Sequence, residues 1–331
     1  MRSDRTLQNL SGRPGPVEFF LPREEGMDWA VVIPVRNRPD LLEKCLESLR
    51  KQQFPDGRGE VLICDDGSTE DLSAVVERFT PSLPNLSILR QPPKGPAAAR
   101  NLGFRSSGAE IFVCLDSDVI CAPNFLNSMV ATLRSHPEWV AAEGSVLPQG
   151  NKSLLHDAPE GRGGAYVSGA SAYRVEALVK VGGFDEAFPY PACEDIDLAA
   201  RLLRIGRYGY VPGAIVYHPV RPISWRTFWN WRKFWKYVMI LANRYGFLAF
   251  PGKHVGRFPR LRVALAAVLT SPGGRFLSGV KHLQRSPREG IWTCGFALFD
   301  IFCGICALAD IFFKEVPPVR NYLLEKISHE S

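Results

Sequence analysis

Three short groups of carboxylates constrain this chain more than anything else in it. They are Asp65-Asp66-Gly67-Ser68, Asp116-Ser117-Asp118 and Glu194-Asp195-Ile196-Asp197. The first follows the apolar run Val61 to Cys64 and the second follows Ile111 to Leu115, as expected of strands covered on both faces. Acids in such places lie at the carboxyl edge of a sheet, where open α/β folds hold their ligands. One group alone would be a turn. Three in this order point to a divalent metal, an anionic nucleotide and a general base.

The surrounding pattern supports a sheet of that kind. Trp29 to Val35 is another continuous apolar run. Pro39 then stands where a helix starts, since its missing N–H costs nothing in a first turn. Leu41, Leu42, Cys45, Leu46 and Leu49 give that helix one buried stripe. Asn85 to Leu89 is a short third strand, and Gly95 to Gly103 opens a further helix. Strands alternating with helices imply a largely parallel sheet. After about residue 138 the rhythm changes. Val140–Leu147 and Tyr166–Tyr173 read as strands joined by a Gly-rich connection, Glu194–Ile205 as a helix, and Tyr208–Val211 and Ala214–Tyr217 as two short strands. The second half is expected to be a mixed sheet fused to the first.

Charge divides the chain unevenly. Residues 198–288 hold 17 Lys and Arg and no acid, whereas the preceding 197 residues carry more acids than bases. Such a stretch suits an anionic partner. Within it, Trp225, Phe228, Trp229, Trp231, Phe234, Trp235 and Tyr237 interleave with Arg226, Arg232, Lys233 and Lys236. That mixture is expected at a membrane interface, the alternative being a helix packed on the core. Ile291 to Phe313 is long enough to cross a bilayer, but Asp300 and Asp310 interrupt it. Each would cost roughly 2.5–3.5 kcal/mol in hydrocarbon, which favours an in-plane or re-entrant helix. Met1 to Gly26 is polar and carries no secretory signal, so the eight cysteines are expected to be reduced thiols, Cys303 and Cys306 included.

Each acid group suggests a chemistry. Asp116 and Asp118 close a strand two residues apart, so both side chains can face one point and hold Mn²⁺ or Mg²⁺ against diphosphate oxygens. Asp65 or Asp66 could accept the imide N–H of a pyrimidine base or bind ribose. Arg100, in the first turns of its helix, could grip phosphate in a fork. Asp195 and Asp197 lie about 200° apart around a helix and cannot share one role. Asp195 could be a base, with Glu194 and Asp197 holding the helix and its neighbours. His218 ends the run Ile215 to Tyr217 and could be a further metal ligand.

With those residues assembled, the chain resembles an inverting family 2 glycosyltransferase of the GT-A fold, a Rossmann-like α/β architecture, over about residues 29–220. The matching pieces are Val31–Asn37, Asp65–Thr69, Gly95–Gly103, Asp116–Asp118, Val167–Ala170, Gly182–Asp185, Glu194-Asp195 with Asp197, and Tyr217–Pro219. The resemblance implies a lead-in over 1–27, a catalytic domain over 28–220 and a basic, aromatic, helical and membrane-associating extension over 221–331. It places Pro34, Val35, Arg36 and Asn37 beside the nucleotide. Asp65 or Asp66 would take the base, Arg100 the nucleotide or diphosphate, and Asp116 the ribose or metal. Asp118, with His218, would bind Mn²⁺ or Mg²⁺. Ser168, Gly169, Ala170 and Glu194 would shape the sugar and acceptor pocket, and Asp195 would be the catalytic base. The donor is expected to be a nucleotide sugar, UDP-linked by family frequency. The acceptor is expected to be a lipid or glycan presented at an anionic membrane surface, with no role for nucleic acid. The Gln-x-x-Arg-Trp motif of processive synthases is missing after Asp195, so a single transfer is expected, on the cytoplasmic face of the cell membrane as a peripheral or monotopic protein. A non-catalytic scaffold that binds a sugar nucleotide or membrane is the alternative.

Overall fold

The computed structural model describes residues 26–153 and 156–224, together with helical residues among 237–245, at 281 and among 293–303. Ten strands and six helices follow in order: β1 (Trp29–Val35), α1 (Pro39–Leu49), β2 (Gly59–Asp65), α2 (Ser73–Phe79), β3 (Leu86–Arg90), α3 (Pro96–Ser106), β4 (Ile111–Leu115), β5 (Ile120–Cys121), α4 (Phe125–Ser135), β6 (Trp139–Gln149), β7 (His156–Asp157), β8 (Ala170–Arg174), α5 (Val175–Val181), α6 (Glu194–Leu202), β9 (Arg207–Pro219) and β10 (Arg221–Pro222).

Eight strands form one sheet in the order β3-β2-β1-β4-β8-β6-β9-β5. The pairs among β3, β2, β1 and β4 are parallel, whereas β8 runs antiparallel to both β4 and β6. β6 and β9 are again parallel, and β5 closes the edge antiparallel to β9. The sheet is therefore mixed, as expected. The strand order reverses between β1 and β4, so the crevice beyond their carboxyl ends is the natural ligand position.

Alternation along the strands explains the two-sided core. Val31, Ile33 and Val35 join one cluster with Leu42 and Leu46 of α1, Val76 of α2 and Phe125 and Met129 of α4. Ala30 and Val32 join the opposite cluster with Ala97 and Phe104 of α3, Ala177 of α5 and Leu198 of α6. Strands buried on both faces read as unbroken apolar runs, which is why β1, β2 and β4 were plain in the sequence.

Three features differ from the sequence expectation. The strand expected from Tyr166 begins only at Ala170. Glu143 in β6 instead captures the N–H groups of Gly164 and Tyr166, and Tyr166 adopts a left-handed conformation, φ 54°, so this segment is a loop. The two short strands expected over 208–217 are one 13-residue strand, β9. Pro212-Gly213 reads as a break, but it lies where the β6–β9 register shifts, and the two-residue β5 leaves most of that side of β9 without a strand partner. Helix α6 ends at Leu202, three residues early. Residues 1–25 of the lead-in and the aromatic run 225–236 lie outside the described residues, as does much of 291–313. Among the described residues no helix is long and apolar enough to cross a membrane. Cys45, Cys64, Cys114, Cys121 and Cys193 are buried, unbridged thiols there.

Candidate active site

The β1–α1 turn is the first wall of the crevice. Asn37 and Arg38 are both left-handed, φ 60° and 61°, a conformation uncommon for non-glycine residues. Cross-links hold it. The Asn37 N–H donates to Ser68 Oγ at 2.7 Å, and Asn37 Oδ1 accepts the Thr69 N–H at 2.8 Å and the Glu70 N–H at 3.3 Å. Pro34 and Val35 end β1, with Arg36 exposed beyond them. The β1 and β2 turns thus form one rigid lip.

Asp65 and Asp66 divide the work at the end of β2. Asp65 Oδ1 accepts the Ser68 N–H at 2.8 Å, and its Oδ2 lies 3.2 Å from Nε of the exposed Arg90 side chain. Asp66 is more committed. Its Oδ1 accepts Gln91 Nε2 at 2.8 Å and the Lys94 N–H at 2.7 Å, and its Oδ2 accepts the Gly95 N–H at 2.9 Å. It fastens the β3–α3 connection, where Gly95 (φ 99°) passes so close to Pro189 that a Cβ would lie 2.2 Å from that residue's carbonyl oxygen. Both acids are buried, and Asp65 is the one with fewer hydrogen bonds tying it to neighbouring loops.

Arg100 is not an open phosphate fork. Its side chain is 4% exposed, with one nitrogen 3.0 Å from Glu194 Oε1 and another 2.8 Å from Asp116 Oδ1. The guanidinium also lies over the Phe184 ring. Two fork nitrogens aimed at two carboxylates is a use of Arg that Lys could not match. This contact joins the end of β4 to the start of α6, and so joins two of the three acid groups. The third wall is the loop before β8. Gly169 abuts Asp116 so closely that a Cβ would lie 2.3 Å from its Oδ2. Ser168 is buried there, and Ala170 pairs with Leu115 across β4 and β8.

Helix α6 carries the candidate base. Cys193, φ 71°, turns the chain into the helix, and Glu194, Asp195 and Asp197 crowd the first turn. Burial and the adjacent Glu194 carboxylate push Asp195 up to about 7, opposed by the Ile196 N–H at 2.8 Å and the Arg100 charge. Burial likewise raises Glu194, with Arg100 opposing it. A carboxyl poised near neutrality is suited to proton transfer. Asp197 points away, to Arg201, Arg244 and Tyr245.

On the side of β9, His218 Nε2 lies 3.5 Å from Asp118 Oδ1. Nδ1 of the ring lies 3.0 Å from the Pro219 carbonyl. An Nδ1–H donated there leaves the Nε2 lone pair towards Asp118, the usual arrangement of a ligating imidazole. Asp118 Oδ2 is ion-paired with Arg221. Asp118 and His218 are residue types that could hold a divalent cation, and Arg221, now seated on that carboxylate, would have to yield its place to one. Asp116 faces Arg100, and among the described residues no three His, Cys, Asp or Glu side chains are gathered as a metal site. Sequence reasoning missed Arg221 and Glu143. The dipeptide Arg221-Pro222 carries no motif, and a lone Glu inside an apolar strand signals only that something must satisfy it.

Residues 30–177 match the model of the family described as glycosyl transferase family 2. Over that stretch, somewhat under half of the chain, the sequence is similar to this family. The chain is 31% identical to the pre-mycofactocin glycosyltransferase of Mycobacterium tuberculosis over 213 residues, covering 59% of this chain and 43% of that protein. The chain spans less than half the length of the curated relatives it matches. The fold is GT-A. It is similar to S. aureus TarS residues 1–349, with a TM-score of 0.56 and 17% identity over 92% of this chain and 91% of that one. It is similar too to the mannosyltransferase PcManGT of Pyrobaculum calidifontis, solved with GDP-Man and Mn²⁺, with a TM-score of 0.56 and 18% identity over 89% and 91%.

Proposed function

We propose that this chain transfers one sugar from a nucleotide-sugar donor, UDP-linked by default, to an acceptor hydroxyl with inversion at the anomeric carbon. The observation that carries the reading is the Arg100 bridge. It sets the candidate base beside the donor-side acids, with Glu194 next to Asp195 on one arm and Asp116 on the other. The lip of Pro34, Val35, Arg36 and Asn37 and the Asp65 carboxylate receive the nucleoside, with Asp66 holding the loop behind it. Asp118 and His218 hold a divalent cation, Mn²⁺ or Mg²⁺. When bound, that ion neutralises charge on the departing diphosphate. Ser168, Gly169 and Ala170 shape the sugar pocket against Asp116. Asp195 accepts the proton of the acceptor hydroxyl as that oxygen forms its bond to the anomeric carbon and the bond to diphosphate breaks. The proton ends on Asp195 and the electron pair on the leaving phosphate oxygen. No covalent sugar–enzyme stage is required.

The acceptor is a lipid or glycan at an anionic membrane surface, which the enzyme meets from the cytoplasmic side as a peripheral or monotopic protein. Supporting this are the acid-free stretch 198–288 and the exposed Leu298 and Phe302, four residues apart among the helical residues near the C-terminus. Each Lys or Arg near such a surface contributes roughly 1 kcal/mol. The test is nucleoside diphosphate release from a panel of nucleotide sugars with Mn²⁺, in the presence of lipid or glycan acceptors. Turnover that Asp195→Asn abolishes while nucleotide binding persists is the expected result. Nucleotide binding with no turnover on any acceptor would favour a scaffold.

A further inference from the structure

We propose that Arg244 and Tyr245, from the C-terminal extension, are positioning residues for Asp195, so that the extension completes the catalytic unit instead of serving only as an anchor. The inference rests on the reading of Asp195 as the base.

The first turn of α6 is an awkward place to hold a reactive carboxylate. It begins on a left-handed Cys193, no side chain caps it, and three acids share it. Like charges repel there, and two of the three carboxylates need fixed partners if the third is to keep one direction. Arg100 fixes Glu194, the residue before Asp195. Asp197, two residues after it, is wholly buried and held from two sides. Arg201, one turn on in α6, lies 2.7 Å from Asp197 Oδ2. Arg244 lies 3.0 Å from Asp197 Oδ1, and the Tyr245 hydroxyl donates to that oxygen at 2.6 Å.

Arg244 reaches further. The same nitrogen lies 2.5 Å from Oδ2 of Asp185, which is also fully buried, so one guanidinium ties the loop before α6 to the helix itself. Its plane lies over the Phe188 ring, 5.3 Å from the centroid. Phe188 in turn packs on Tyr237, and both are buried with Ala192, Cys193, Val238 and Leu241. The helical residues of the extension thus cover the chain as it turns into α6, and Arg244 and Tyr245 clamp the acid beyond the base. Burying two carboxylates is tolerable only with such partners.

A contact that merely stabilised the fold would change the amount of active enzyme and nothing else. A positioning contact changes what the active enzyme does. The groups facing Asp195 are Glu194, Arg100, Asp116, Cys193 and Tyr208. Asp197 is kept from adding to their negative field by Arg201 and Arg244. Removing the Arg244 charge leaves more negative charge beside the base and moves its titration to higher pH.

The experiment uses the full chain, with the donor and acceptor that support turnover. Arg244→Gln, Arg244→Lys and Tyr245→Phe are compared for Tm, nucleoside diphosphate affinity, kcat, KM and the pH profile of kcat/KM. We expect Tyr245→Phe to keep diphosphate affinity and donor KM while kcat falls roughly tenfold or more, as small misplacements of a reacting group do. We expect Arg244→Gln to shift the acid limb to higher pH and Arg244→Lys to restore its midpoint. Unchanged kcat in Tyr245→Phe, with Arg244→Gln altering only Tm and leaving the acid limb in place, would overturn the inference. Asp195→Asn, run alongside, separates the two readings. If it still transfers sugar, the base assignment fails on its own account. If it is dead while the Arg244 and Tyr245 variants behave as wild type, only the positioning claim fails.

Discussion

Asp195→Asn offers a test that needs neither donor nor acceptor. Burial and Glu194 raise the Asp195 carboxyl from an ordinary 3.8 to about 7. In the unfolded chain the same group is ionised above pH 4. Between those values the unfolded state holds fewer protons than the folded one, so stability falls as pH rises. The loss grows from about pH 4, is complete above pH 7 and is absent below pH 4. An interval from 3.8 to about 7 corresponds to ~4 kcal/mol as an upper bound. Glu194 shares the field that produces it and Asp195 is only partly covered, so a working value is about 2 kcal/mol.

Asparagine keeps the shape of the neutral acid and cannot ionise. The variant is therefore expected to be more stable than wild type at pH 8, with Tm raised by about 3 °C. The advantage should shrink steadily as pH falls from 7 towards 4. Differential scanning fluorimetry across that range measures it directly. In turnover the same variant should lose roughly 10²–10⁴-fold in kcat, and wild-type kcat/KM should fall below an apparent pKa near 7. A Tm gain that is the same at pH 4 and pH 8, or a loss of stability at pH 8, would refute the reasoning that Asp195 is held charged against its surroundings.

Three further outcomes follow from individual contacts. Arg100→Met leaves Glu194 buried without its cation and should cost about 3 kcal/mol, read by urea denaturation at pH 8. Asp66→Asn sets an amide N–H₂ where the Gln91, Lys94 and Gly95 donors require acceptors, so it should destabilise by about 1–3 kcal/mol and weaken nucleoside diphosphate binding in calorimetry. Gly169→Ala drives a methyl into Asp116, and should raise donor KM with a stability cost of about 1–3 kcal/mol. Wild-type KM in that last variant would mean that Asp116 does not border the sugar pocket.

How much of this was legible depended on whether a residue's partner is close in sequence. β1, β2 and β4 could be read directly because burial on both faces needs no information from elsewhere. The loop over 161–169 could not, because its shape comes from Glu143, some twenty residues earlier, capturing the Gly164 and Tyr166 N–H groups. The nearness of Asp118 and His218 spans 100 residues, and only the family resemblance put the two together in advance. Arg221 joins the same carboxylate and was not readable, because an Arg in a short two-residue strand advertises nothing.

Arg100 is the instructive case. From sequence, an Arg near a helix start beside Gly95 reads as a phosphate grip. In the fold it is an internal counter-ion whose two arms are taken by Asp116 and Glu194. That changes how the acid groups should be understood. Asp116, Glu194 and Asp195 form one electrostatic unit around a single guanidinium, and negative charge remains in excess even when one proton resides on Asp195. An anionic donor entering such a crevice alone would be repelled by it. A donor whose diphosphate charge is offset by a divalent cation would escape that repulsion, so the acid excess around Arg100 favours a metal-carried donor over a bare one.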